Sequence, residues 1–176
     1  MDRFMEEVVV KKQRGLNEVL YVLSVVMMVV MAIVGFMTMQ MLFVQFDLFM
    51  LIFTLINLGG AFLLFLYRDR LRTEYEYTFT NGTLDFAKVF NNQKRKSLGS
   101  LACARVEAFG PVNGNAFQRY ITMPGMKRSN WFLNRGAELY YFYIQKDNSK
   151  RLIIFEPSQE LVDYIKFYLP RGAWQE

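Results

Sequence analysis

Ser97, Ser100 and Cys103 come nearest to nucleophiles in this chain, and no neighbouring side chain stands ready to activate them. A hydroxyl or thiol attacks when a base takes its proton or a nearby cation lowers its pKa. The sequence contains no histidine, which removes the commonest general base and the commonest metal ligand together. Asp85, Glu107, Glu138, Asp147 and Asp163 are scattered, with neither metal-ligand spacing nor a glycine-rich phosphate loop beside them. Cys103 is the single cysteine, so no internal disulfide can form. Flanked by Ala102 and Ala104, it reads as a small packing residue. These residues predict a protein that is not an enzyme and carries no cofactor.

Met37, Met39 and Met41 would offer soft sulfur to Cu(I) if the chain there were extended. Seven of the 11 methionines lie between Met27 and Met50, however, which favours methionine as adaptable filler. Binding chemistry is better represented by cations. Lys94, Arg95 and Lys96 fall on a predicted turn, and Lys127, Arg128, Trp131 and Arg135 share an irregular stretch. Such groups suit a protein partner or anionic lipid headgroups beside a membrane. They are too few for nucleic acid, and no recognition helix carries them.

The element that must position these cations is apolar. Val19 to Phe46 is an uncharged run, Leu48 to Tyr67 is another, and Asp47 alone separates them. About 20 apolar residues of helix cross a bilayer core, so the sequence predicts a two-helix transmembrane hairpin over residues 18–67, with spans at about 18–39 and 47–67. The first run is far longer than a signal-peptide core and continues into a second span, so it is expected to stay in the mature chain. Arg3, Lys11, Lys12 and Arg14 precede the hairpin, Arg68, Arg70 and Arg72 follow it, and it contains no Lys or Arg. The positive-inside rule then places the protein in the cell membrane with both termini cytoplasmic. Folding the hairpin about residue 42 sets Ser24 within hydrogen-bonding reach of Asn57, with Gly59, Gly60 and Ala61 giving close backbone approach, within the hairpin in preference to a homodimer face.

Residues 1–17 read as an amphipathic helix, capped by Asp2, with Phe4, Met5, Val8 and Val9 on one face. From Thr73 the period changes to two. Tyr75, Tyr77 and Phe79 alternate with polar residues, and Asn81-Gly82 is a strong hairpin signal. Further strands are expected at Leu84 to Phe90, Ser97 to Ala104, Val106 to Phe109, Phe117 to Thr122, Leu139 to Ile144 and Leu152 to Phe155. Pro157 then opens a helix whose apolar stripe is Leu161, Val162, Ile165, Tyr168 and Leu169. About seven strands and one closing helix, over residues 73–170, is the order of a PH-like barrel, in which the helix plugs one end. Residues 73–176 are expected to close a core of their own.

The stretches Tyr75 to Phe86 (YEYTFTNGTLDF), Gln93 to Ser97 (QKRKS), Val106 to Pro111 (VEAFGP) and Ile153 to Leu161 (IIFEPSQEL) resemble bacterial PH-like domains carried behind a two-helix membrane hairpin. The resemblance runs from the N-terminal basic segment through Leu169. It implies a membrane α-helical hairpin plus a mainly-β PH-like barrel, and it implies no activity. The expected role is a non-catalytic integral membrane protein presenting an interaction domain to the cytoplasm, as scaffold or accessory subunit for a protein partner or through self-association. Headgroup recognition is the alternative.

Overall fold

Residues 4–9 form a strand, not the helix that their apolar spacing predicts. In the computed structural model, which describes residues 3–146 and 149–176, β1 (Phe4–Val9) lies antiparallel to β2 (Thr73–Thr80), with Phe4 opposite Thr80 and Val9 opposite Tyr75. Burial along β1 alternates, with Met5, Glu7 and Val9 turned inward and Phe4, Glu6 and Val8 outward. Period two therefore decides, helped by the β-branched Val8-Val9 pair. The helix cap assigned to Asp2 falls outside the described residues, as do Asp147 and Asn148 of the late turn.

Two neighbouring strands of one sheet are thus joined through α1 (Arg14–Val44) and α2 (Leu48–Tyr67), followed by a 3-10 turn at Arg68–Arg72. The compact unit that contains the sheets consequently begins before residue 73. It takes in the chain up to Lys12, then Glu74–Val89 and Arg95–Glu176. A second unit comprises Gln13–Thr73 and Phe90–Lys94.

In the helical unit, Gln45 to Asp47 make the turn, and Asp47 caps α2 by accepting from the Phe49 amide at 3.2 Å. The helices meet where the Thr38 and Thr54 hydroxyls lie 2.8 Å apart, and a Cβ on Gly35 would stand 2.6 Å from Leu58 Cδ2. Both contacts place the fold-back near residue 46. The predicted fold-back at residue 42 is several residues early, so the predicted Ser24–Asn57 contact does not form. Ser24 instead donates to Tyr21 O at 2.7 Å and Asn57 to Phe53 O at 2.9 Å, each within its own helix. Gly60 sits under the Met31 thioether, whereas Gly59 faces open space. Met37, Met39 and Met41 lie within α1, where residues two apart do not share a side. The extended geometry required for copper is absent.

The other unit holds two four-stranded sheets. The first has the order β1-β2-β3-β4, with β3 at Thr83–Phe90 and β4 at Lys94–Ala102. Asn81 and Gly82 both have positive φ, 47° and 86°, as the primed hairpin turn requires. A Cβ on Gly82 would also come within 2.6 Å of the Tyr168 ring. The second sheet has the order β5-β7-β8-β6, from β5 (Ala108–Pro111), β6 (Met126–Trp131), β7 (Tyr140–Lys146) and β8 (Ser149–Phe155). Among the described residues seven strands, β2 to β8, follow Thr73, the number expected there, and β1 adds an eighth from before the helices.

Two expected elements change type. Phe117 to Thr122 is not a strand but lies in α3 (Asn115–Ile121) and its cap, because Phe117, Tyr120 and Ile121 repeat at helical spacing and the first two are buried. The stretch read as irregular contains β6, a polar edge strand running parallel to β8. Its partner lies two strands later in the chain, so no local pattern announces the pairing.

The unalternating apolar run of β7 is explained by burial on both faces. Tyr140 and Phe142 enter a core formed by both sheets, together with Tyr77, Phe79, Phe86, Phe109 and Phe155. Tyr141 and Tyr143 enter a second core, under α3, with Phe117 and Tyr120. α4 (Gln159–Tyr168), capped by the Ser158 hydroxyl, buries Leu161, Val162 and Ile165 completely in the first core. A closing helix with this stripe matches the sequence reading.

Because β1 completes the first sheet, residues 73–176 alone should be destabilised by at least about 2 kcal/mol, the burial lost with Val9 and Met5. Replacing Lys11–Thr73 by Asn-Gly, which joins Val10 to Glu74 by a two-residue turn, should restore one cooperative urea transition. Equal midpoints for fragments with and without β1 would contradict this assignment.

Candidate interaction surfaces

The cations singled out by the sequence reach different fates. Lys94 opens β4 and stands 3.9 Å from the Asp69 carboxylate. Arg95 is ion-paired with Glu76 at 2.7 Å, and Lys96 is exposed. Arg128 donates to Ile121 O at the end of α3. Arg135 is exposed on the loop between β6 and β7. Trp131 is half-buried. Its ring packs 4.6 Å from Phe86 against the first core.

Lys127 is different. The parallel register sets it directly opposite Arg151, and both are exposed. Like charges facing each other across strands repel, so an arriving anion would relieve the pair. Arg151 was hidden from sequence reasoning because the β6–β8 pairing is non-local. The only available signal was the basic run Lys150-Arg151 at the start of β8.

A second polar group braces β1. A groove of about 330 Å³ is lined by Glu7, Lys12, Asn134, Glu138, Glu156 and Ser158, among others. Both Glu7 carboxylate oxygens accept from the Ser158 amide, at 2.9 and 3.0 Å. Glu156 accepts from the Asn134 amide at 3.0 Å and from Asn134 Nδ2 at 2.8 Å. Asn134 in turn donates to Val10 O at 2.9 Å and accepts from the Lys12 amide at 2.8 Å. These groups satisfy one another and tie β1 to the β6–β7 loop and the start of α4, which reads as architecture rather than chemistry.

In the helical unit, three arginines stack on rings. Arg68 lies over Phe65 at 5.2 Å, Arg70 over Tyr67 at 4.4 Å and Arg72 over Tyr21 at 3.7 Å. Arg72 is also ion-paired with Glu18 and donates to Asn91 Oδ1 at 3.2 Å, while Asn91 donates to Asp69 at 3.2 Å. Arg68 and Arg72 thus each pair with a carboxylate, whereas Arg70 stacks on a ring and the foot of the hairpin keeps a positive excess.

Cys103 is fully buried, and desolvation pushes its thiol up to about 12. It is therefore a poor nucleophile near neutrality. Among the described residues, no group of three or more His, Cys, Asp or Glu is placed to hold a metal ion.

Burial is the main cause that raises the Glu7 carboxyl above its usual value; the Ser158 hydrogen bonds oppose it, and repulsion from Glu156 and Glu160 adds to it. The folded state then holds this proton more tightly than the unfolded chain. Stability from this group is fully present below the unfolded value of 4.5 and falls as pH rises through the raised folded value. A Glu7→Gln variant cannot titrate. Urea unfolding at pH 4 and pH 7 should show wild type losing stability relative to the variant across that interval; a pH-independent difference would refute the shift.

No curated protein and no solved structure matches the chain. One family model does, described as a bacterial PH-like domain, and it matches residues 1–175, hairpin included. The chain belongs to this bacterial PH-like domain family, DUF6106.

Proposed function

We propose that this chain is a non-catalytic integral membrane protein whose hairpin crosses the bilayer and whose PH-like domain is presented to the cytoplasm as a scaffold for a protein partner. The observation that carries the topology is the β1–β2 pairing. A strand on each side of the hairpin belongs to one sheet, so both flanks must lie on the same side of any membrane the hairpin crosses. The Lys and Arg at both flanks then select the cytoplasmic side.

The helices support crossing by their surface as well as their composition. In the most apolar window of each, only 6% and 11% of residues are buried. A core helix of a water-soluble protein hides its apolar side chains, whereas Val22, Ile33, Phe36, Leu55, Ile56 and Phe62 are all at least half exposed. The linker from β1 to α1 is only Val10 to Gln13.

A cysteine in place of Gln45, at the hairpin turn, should react with an impermeant thiol reagent added outside intact cells. A cysteine in place of Arg135 should react only after lysis. The reverse pattern would overturn the topology.

The Lys127–Arg151 pair favours a second reading, recognition of anionic headgroups by the domain. The β1-completed domain should then bind vesicles containing phosphatidylglycerol at 0.1 M salt, release them at 1 M, where the Debye length falls to about 3 Å, and lose binding when both residues become Ser. Absence of binding at low salt removes the lipid reading and leaves the protein partner.

A further inference from the structure

Asn57 occupies the middle of α2, and its amide is only partly satisfied. Leu48–Tyr67 has 20 residues, and at about 1.5 Å per residue Asn57 lies about 15 Å from either end. If the hairpin spans, as proposed above, this amide sits at the bilayer midplane. Its hydrogen bond is Nδ2 to Phe53 O within its own helix. One amide N–H and the Oδ1 acceptor remain. The hydroxyls of Ser24, Thr38 and Thr54 differ in that respect: Ser24 is bonded within its own turn, and Thr38 and Thr54 bond each other.

Nor is Asn57 on the seam between the helices. That seam runs through Thr54 and Ala61, which are buried, with Leu58 against Gly35 and, at its edge, Gly60 under the Met31 side chain of α1. Asn57 lies on the adjacent stripe Phe53, Asn57, Gly60 and Leu64, whose members are exposed or half-buried. The stripe has the spacing of a helix-packing face. Gly60 carries no side chain of its own, and only the flexible Met31 end lies above it.

We infer that this stripe packs against the same stripe of a second copy of the chain. A primary amide is self-complementary: related by a two-fold axis, each Asn57 donates its free N–H to the Oδ1 of the other. A two-fold contact sets the same patch against itself, and in hydrocarbon no water replaces the missing bond. A charged or purely apolar partner would leave donor and acceptor unmatched.

The test uses the full chain in phosphatidylcholine–phosphatidylglycerol vesicles, labelled with donor or acceptor dye at exposed Lys96→Cys, the native Cys103 being buried. Energy transfer should rise with protein-to-lipid ratio. Asn57→Leu should raise the apparent dissociation constant about three- to thirty-fold, the range for such intramembrane bonds, and Asn57→Gln should largely retain association. In oxidative cross-linking without dyes, Leu64→Cys on the stripe should give dimers, and Leu55→Cys on the other side should not. An inserted chain that stays monomeric, or associates equally well as Asn57→Leu, overturns the inference alone. Extraction of the chain from vesicles by carbonate would instead overturn the spanning reading on which it rests.

Discussion

The pairing of Val9 with Tyr75 is the constraint on which the remaining structure depends. Those two residues are neighbours across a sheet, yet the chain between them includes both long helices. An ordinary hairpin turn would close this pair with two residues, as Asn81-Gly82 does for the next one. Here the turn has been expanded into an apolar hairpin of two helices, inserted between two paired strands. What looks like an N-terminal tail, a membrane segment and a domain is one β-meander with an insertion.

Closure at the other end depends on aromatic burial. Tyr77 shows how one side chain links the layers. Its ring packs edge-on against Phe86 and Phe155, each at 5.5 Å, while its hydroxyl donates to Trp131 O and accepts from the Glu156 amide. Burial raises its pKa strongly, which keeps it neutral and able to donate. The same residue thus joins β2, β3, β6 and β8.

Features with a local cause were legible in the sequence. The hairpin is written in two uncharged runs, β2 and β3 in their alternation around Asn-Gly, the doubly buried β7 in the loss of alternation, and α4 in its stripe. Features with a non-local cause were not. β1 has helical as well as strand periodicity over so few residues, and only β2 decides between them. β6 is polar and needs its parallel partner, so Trp131 looked like a surface residue and Arg151 was passed over. The seven residues of α3 do match a helical period, but Gly114 and the preceding strand-like run obscured it. The contacts inside the hairpin failed for a simpler reason: a fold-back misplaced by a few residues rotates every facing pair, and Ser24 and Asn57 lose each other.

The inserted turn also orders events in time. During synthesis β1 leaves the ribosome before both helices, when β2 is not yet there to join. Both helices must follow before Tyr75 appears, a delay of several seconds at ordinary elongation rates. Through that interval Phe4, Met5, Val8 and Val9 are an apolar, β-prone segment without a strand to pair with. The sheet can then form only once the hairpin has doubled back. A completed first sheet in this chain is therefore a record that both helices have already been made and have doubled back.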